Sequence, residues 1–249
     1  MTSATGVSAA VVVSTPSATA AIEAYEGLLG PGRRSGDDHE WRVGSTLLVV
    51  RGGDGPPRLL VPATDLVDTA AADPFDTATV LLGRRGLAVE PGPGIADARI
   101  AVAGEAPVGV VDAAAVGTAE MPATADIGSL DHVVMTSRSR DAALALFGAT
   151  LRFDFRLEQQ ISVPAMGGVH QLFLRGGGTI VEVLVGDAPD DRIALWGLAW
   201  ASSDVDATHA RLTSDGVALS PIRDGHKRGT RVFTVRDDRL AVPTIIIGG

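Results

Sequence analysis

At 249 residues the chain is long enough for two ordinary domains or one large one, and it contains no cysteine, which excludes disulfides, thiolate metal sites and cysteine nucleophiles. A formal net charge of -9, with Lys and Arg dense only in one short loop, argues against a surface for nucleic acid. Met1 to Ala10 lacks the basic and apolar regions of a signal peptide, and no apolar run reaches the roughly 18 residues of a membrane span, so the expectation is a soluble, cytoplasmic protein with neither membrane nor nucleic acid as partner.

In chain order, Ala9 to Tyr25 reads as a strand, a turn and a helix, and the same pattern returns from Asp131 to Phe147. Ala21, Ala24 and Tyr25 in the first copy, and Ala143, Leu146 and Phe147 in the second, fall at the i, i+3, i+4 spacing of a helix lying on a sheet, with Ser17 and Ser139 as candidate caps. A second echo joins Arg84 to Pro91 with Ser214 to Pro221, where Gly86 and Gly216 read as helix-ending glycines. After the helices come short strands, such as His39 to Val43 with Thr46 to Arg51, and His170 to Arg175 with Thr179 to Val185. The unit is therefore read as βαβββ, occurring four times, two in each half. The Gly, Pro and Ala-rich stretch from Gly117 to Gly128 reads as a linker.

Two of these strands carry chemistry. Leu130 to Val134 and Thr179 to Val185 each hold a lone ionisable side chain, His132 and Glu182, in an apolar run where an unpaired charge is costly. Side by side they would offer a nitrogen and an oxygen ligand to a divalent metal; His132 alone reads first as a satisfied structural histidine, and Glu182 shifts the balance toward a ligand pair.

Four βαβββ units in two tandem pairs, with an "LxHV"-type first strand and an "xELx"-type last strand, resemble the vicinal-oxygen-chelate superfamily, which includes glyoxalase I, methylmalonyl-CoA epimerase, extradiol dioxygenases and bleomycin-resistance proteins. The resemblance covers nearly the whole chain and is clearest from Leu130 to Gly249. It implies an α+β fold, four βαβββ units forming two tandem glyoxalase-like open barrels, with residues 1–118 and 129–249 as the two domains and 119–128 between them. It also implies a cavity for a small-molecule substrate or ligand, with metal ligands drawn from first and last strands. His132 matches the first position and Glu182 the second, Glu182 being also the candidate catalytic proton carrier.

The same alignment tests the other ligand positions. Ala10 and Val49 stand in the first unit, Arg58 and Gly197 open the second unit of each half, and Thr244 stands in the final strand, so the N-terminal half reads as a metal-free copy. In the C-terminal half a third ligand would come from His170 or Gln171, of which strand alternation lets only one face the cavity, or from His226. His209 reads as a solvated helix residue, and His39 has no partners. A divalent metal (Zn, Mn, Fe, Ni or Co) is thus a possible cofactor, and no organic cofactor is expected. Trp200, Arg231 and Lys227 are the candidate substrate contacts, Trp196 and Trp200 having the alternative of packing between sheet and helix. Gly92, Gly94 and Gly176 to Gly178 read as hairpin turns, not phosphate loops.

Two function classes lead, with a purely structural pseudo-dimer serving as a partner domain ranked last because its buried polar pair would be costly without purpose. One is a metal-assisted lyase, isomerase or dioxygenase acting on a small oxygenated molecule. The other is a metal-free protein that sequesters a small molecule, as bleomycin-resistance proteins do, in which His132 and Glu182 form a hydrogen-bonded pair. Either would be a monomer or a homodimer.

Overall fold

The structure, a computed structural model, describes residues 7–67, 70–116, 126–163, 167–186 and 192–249. The first unit comprises β1 (Ala9–Thr15), α1 (Ala18–Leu29), β2 (Arg33–Ser35), β3 (Asp38–Val43) and β4 (Thr46–Gly52). Its β-branched runs in β1 and β4 are almost wholly buried, and the crossover through α1 makes these two strands parallel neighbours. The second unit runs β5 (Arg58–Pro62), α2 (Ala63–Leu66), α3 (Pro74–Arg84), β6 (Glu90–Ile95), β7 (Ala98–Val102) and β8 (Val108–Val111). Antiparallel pairing of β1 with β5 joins the two units into one eight-stranded sheet in the order β2-β3-β4-β1-β5-β8-β7-β6.

The C-terminal half repeats this plan. Its third unit is β9 (Ile127–Ser137), α4 (Arg140–Ala143) widening into a π-helical stretch Leu144–Thr150, β10 (Asp154–Val163), β11 (Gly167–Gly176) and β12 (Thr179–Val185). The fourth is β13 (Ala194–Ser202), α5 (Val205–Ser214), β14 (Arg223–Asp224), β15 (Arg231–Val235), a 3-10 turn Asp238–Leu240, and β16 (Thr244–Gly248). These strands form a second eight-stranded sheet, β10-β11-β12-β9-β13-β16-β15-β14. The chain is thus an α+β protein of four βαβββ units in two sheets. The expected linker falls largely on residues 117–125, outside the described residues, and β9 opens at Ile127.

One face of each sheet joins a single apolar core. That core contains Tyr25, Leu28 and Trp41 from the first half together with Phe147, Trp200 and Phe233 from the second. Polar bonds cross the same boundary. Arg211 on α5 donates to the Leu28 carbonyl at 3.2 Å while holding Asp126 at 2.8 Å, and Arg85 donates to the Thr150 carbonyl at 2.9 Å.

The opposite, concave face differs between the halves. In the N-terminal sheet it is filled by Ala10, Val12, Leu47, Val49, Leu60, Ile95 and Ile100. The β6–β7 hairpin closes over it, and fully buried Glu40 on β3 accepts from the Ala96 backbone N–H at 2.9 Å and from Arg33 at 2.8 Å.

Several local expectations are corrected. Gly92 and Gly94 lie inside β6, and the turn is made by Ala96 and Asp97 at φ 45° and 66°. The Glu40 bond and burial hold that left-handed pair without glycine. Gly86 and Gly216 do take the left-handed conformation after their helices, at φ 86° and 79°. Ser139 caps its helix by accepting from the Ala142 N–H at 3.1 Å, whereas Ser17 makes no such bond. His209 is not a solvated helix residue: it packs edge-on against Phe233 at 4.9 Å, because its face of α5 meets the sheet.

Candidate functional site on the C-terminal sheet

The concave face of the second sheet keeps charged groups. His132 on β9 and Glu182 on β12 sit on adjacent parallel strands, where Val134 is the register partner of Glu182, so residues 132, 134 and 182 share one face. Their side chains meet, with His132 Nε2 2.9 Å from Glu182 Oε2. The other imidazole nitrogen, Nδ1, lies 2.7 Å from Asp131 Oδ2. Consecutive strand residues ordinarily point to opposite faces. Here β9 bulges: Ala199 pairs with His132 and Trp200 with Leu130, leaving Asp131 as the extra residue and turning it alongside His132.

The neighbouring strand completes the cluster. Gln171 on β11 donates to Glu182 Oε1 and accepts from Gln159 Nε2 at 2.6 Å, so five side chains from four strands form one hydrogen-bonded chain, Gln159–Gln171–Glu182–His132–Asp131. His132 and Glu182 are each 8% exposed. Burial by itself would lower the His132 pKa, but the hydrogen bonds and charges of Asp131 and Glu182 outweigh it and push it up to about 9. Burial works against the Glu182 carboxylate in the same way, and His132, Gln171 and the charge of His226 nevertheless hold its pKa below the ordinary value. The Asp131 pKa is lowered chiefly by its hydrogen bond to His132, with a contribution from the Lys227 charge. These directions favour the charge-paired form of the cluster, an imidazolium between two carboxylates.

The remaining sequence candidates are placed as follows. His170 points away from the cluster and pairs with Glu158 at 3.2 Å, while Gln171 faces Glu182. Arg231 is committed to Asp206 on α5. Lys227 and His226 are exposed on the β14–β15 loop, the counterpart of the β6–β7 tip that closes the N-terminal face. Trp200 has no exposed surface and lies in the shared core, opposite Leu130, so it offers nothing to a ligand on the concave face. Asp131 and Gln159 belong to the cluster and were not legible in the sequence. Glu40, the register partner of Val49 as Phe173 is of Glu182, was likewise missed.

The positions that could complete a metal shell are unsuitable. A side chain at Gly197 would meet the Pro243 carbonyl oxygen at 2.8 Å, and buried Thr244 spends its hydroxyl on the Val242 carbonyl. Among the described residues no group of three or more His, Asp or Glu converges as a cation site. His132 and Glu182 are therefore two firm donors with Gln171 as a weak third, short of the three or four protein ligands that retain a catalytic divalent ion.

Residues 129–239 match the profile of the Glyoxalase/Bleomycin resistance protein/Dioxygenase superfamily. This segment belongs to that superfamily. Among solved structures, a triple mutant of 4-hydroxymandelate synthase from Streptomyces coelicolor aligns over 96% of this chain and 91% of its own at 15% identity and a TM-score of 0.62, a likeness of fold that spans both halves. Methylmalonyl-CoA epimerase from Mycobacterium tuberculosis aligns over 52% of this chain and 93% of its own, at 22% identity and a TM-score of 0.44. No curated protein matches the chain. Among the described residues, no helix is long and apolar enough to cross a membrane.

Proposed function

We propose that the C-terminal superfamily domain binds a small oxygenated molecule on its concave face, with the His132 imidazolium and Glu182 carboxylate orienting it by charge-assisted hydrogen bonds. The observation that carries this reading is the buried, fully hydrogen-bonded His132–Glu182 pair on a face whose N-terminal counterpart is packed with apolar side chains. A buried ion pair is commonly no more stabilising than apolar residues of the same volume, so its presence points to use. His132 can donate a proton, and Glu182 can accept one, at a ligand oxygen lying against the pair. The division of labour is then residues 1–118 as a scaffold without donors, 119–128 as the connection and 129–249 as the working domain. Lys227 brings positive charge to the rim, with His226 beside it in the loop.

A divalent cation arriving with the ligand is the second reading. The 2.9 Å separation of His132 Nε2 and Glu182 Oε2 is one that two ligands of a single ion can have, and two ligand oxygens would fill out the shell. This is the metal-assisted enzyme of the superfamily, and it requires His132 to lose its proton.

Thermal-shift screening of oxygenated small molecules, run in EDTA and again with Zn, Mn, Fe, Ni or Co, separates the two readings. Stabilisation that persists in EDTA and disappears in Glu182→Gln is expected. Stabilisation only with added metal favours the second reading, and none under either condition refutes both.

A further inference from the structure

The pairing register places large apolar side chains beside the charged pair. Leu157 on β10 is the partner of Phe173 on β11, Phe173 of Glu182 on β12, Glu182 of Val134 on β9, and Val134 of Gly197 on β13. These five residues form one row across the concave face, with Glu182 at its centre. Neighbouring strands stand about 4.8 Å apart, so Phe173 and Val134 flank the carboxylate at roughly one strand spacing.

Beside Gly197 the strand is irregular. Leu195 pairs with Met135 and Gly197 with Val134, which leaves Trp196 as the extra residue of a bulge. A bulge frees its extra residue from strict alternation, as Asp131 shows on β9 by lying alongside His132, so the register lets Trp196 turn with Gly197 toward the concave face. Exposure agrees: Leu195 and Leu198 are buried in the shared core, whereas Trp196 is 43% exposed and Leu157 is 47% exposed. The space that a Gly197 side chain would take is filled by the Pro243 carbonyl, so backbone closes that end of the row. Leu157 and Trp196 are two of only four exposed large hydrophobic residues among those described, Leu157 ending this row on one side and Trp196 standing beside its other end. Exposed apolar groups flanking a buried polar cluster are the composition of a ligand site.

We infer that this row, with Trp196 as its main contact, receives a flat apolar group of the ligand, one or two rings in size, while a hydroxyl or carbonyl oxygen of the same molecule meets the His132–Glu182 pair. The inference rests on the small-molecule reading above and adds the ligand class and a specificity-determining residue to it. Trp196 stacks on the ring, and Phe173 and Leu157 floor the far side of the carboxylate. A small polyol or an aliphatic acid would use only the polar half of the site.

The test uses the full chain and 2-naphthol, with cyclohexanol and 1-propanol for comparison. The three tryptophans give three indole N–H signals in a proton–nitrogen correlation spectrum, and Trp196→Phe assigns the exposed one. Titration with 2-naphthol is expected to shift the Trp196 signal with little change at Trp41 and Trp200, both buried. Binding is expected to weaken at least tenfold in Trp196→Ala, and the two aliphatic alcohols to bind at least tenfold more weakly than 2-naphthol. Trp196 is exposed, so the variant keeps its fold. If Glu182→Gln weakens naphthol binding while Trp196→Ala does not, the inference fails and the polar site stands. Binding that ignores both substitutions, or no binding at all, overturns the inference; in the former case the polar-site reading falls with it.

Discussion

His132 has a carboxylate on each ring nitrogen, and two predictions belong to that residue. Removing the imidazole in His132→Ala leaves the Glu182 charge buried with only Gln171, a loss of about 3 kcal/mol in urea unfolding at pH 6. The double variant His132→Leu with Glu182→Leu removes both charges and keeps apolar volume, so it should recover to within roughly 1 kcal/mol of the parent. Additive losses in the double variant would mean the two side chains are not coupled. The pH dependence follows from the directions of the shifts. The His132 pKa is raised from 6.5 to about 9 in the folded state, so its contribution is complete below 6.5 and disappears as pH rises through about 9. Those of Glu182 and Asp131 are lowered from 4.5 and 3.8, so theirs are complete above those values and are lost as pH falls. Stability from the cluster should be greatest between about pH 4.5 and 6.5, measured as unfolding free energy across pH, and a cluster contribution that grows from pH 7 to 9 would contradict the assignment.

At the scale of elements, two tryptophans four residues apart lie in opposite environments. Trp200→Ala is expected to cost about 4 kcal/mol through the cavity it opens, and Trp196→Ala to stay within about 0.5 kcal/mol. Equal losses would remove the bulge from β13. The units themselves were legible in the sequence, because the helix stripes of Ala21, Ala24 and Tyr25 and of Ala143, Leu146 and Phe147 carry their period in the residues. The His132–Glu182 pairing was legible as well, since each charge interrupts an apolar strand. The bulges were not. Counting unbroken alternation from Gly197 puts Trp196 and Trp200 on the same side, and one extra residue in the ladder reverses the relation for Trp196. Bulges at Asp131 and Trp196 depend on which strand lies opposite, information absent from the local sequence. Gly197 within β13 was the one available hint, as strand glycines often mark irregular pairing. The choice between His170 and Gln171 was open for the same reason: alternation restricts the answer to one, and only the neighbour across the sheet decides.

At the scale of the whole molecule, the halves are joined by one apolar core and differ in what their concave faces carry. The joint core, with Tyr25 and Trp200 in the same cluster and Arg211 bridging to Leu28, predicts one cooperative unfolding transition for the chain. Coincident circular-dichroism and tryptophan-fluorescence curves would show it, and two separated transitions would mean that the halves fold independently. The concave faces differ in composition, with Val49 packed among apolar neighbours in one half and Glu182 joined to His132 in the other. That contrast makes the protonation state of His132 the quantity on which the account turns. Titration of its imidazole signals by NMR in the intact protein should give a midpoint well above 6.5, near 9, that drops toward the ordinary histidine value in Glu182→Gln. A midpoint at or below 6.5 in the parent protein, unchanged by Glu182→Gln, would contradict it.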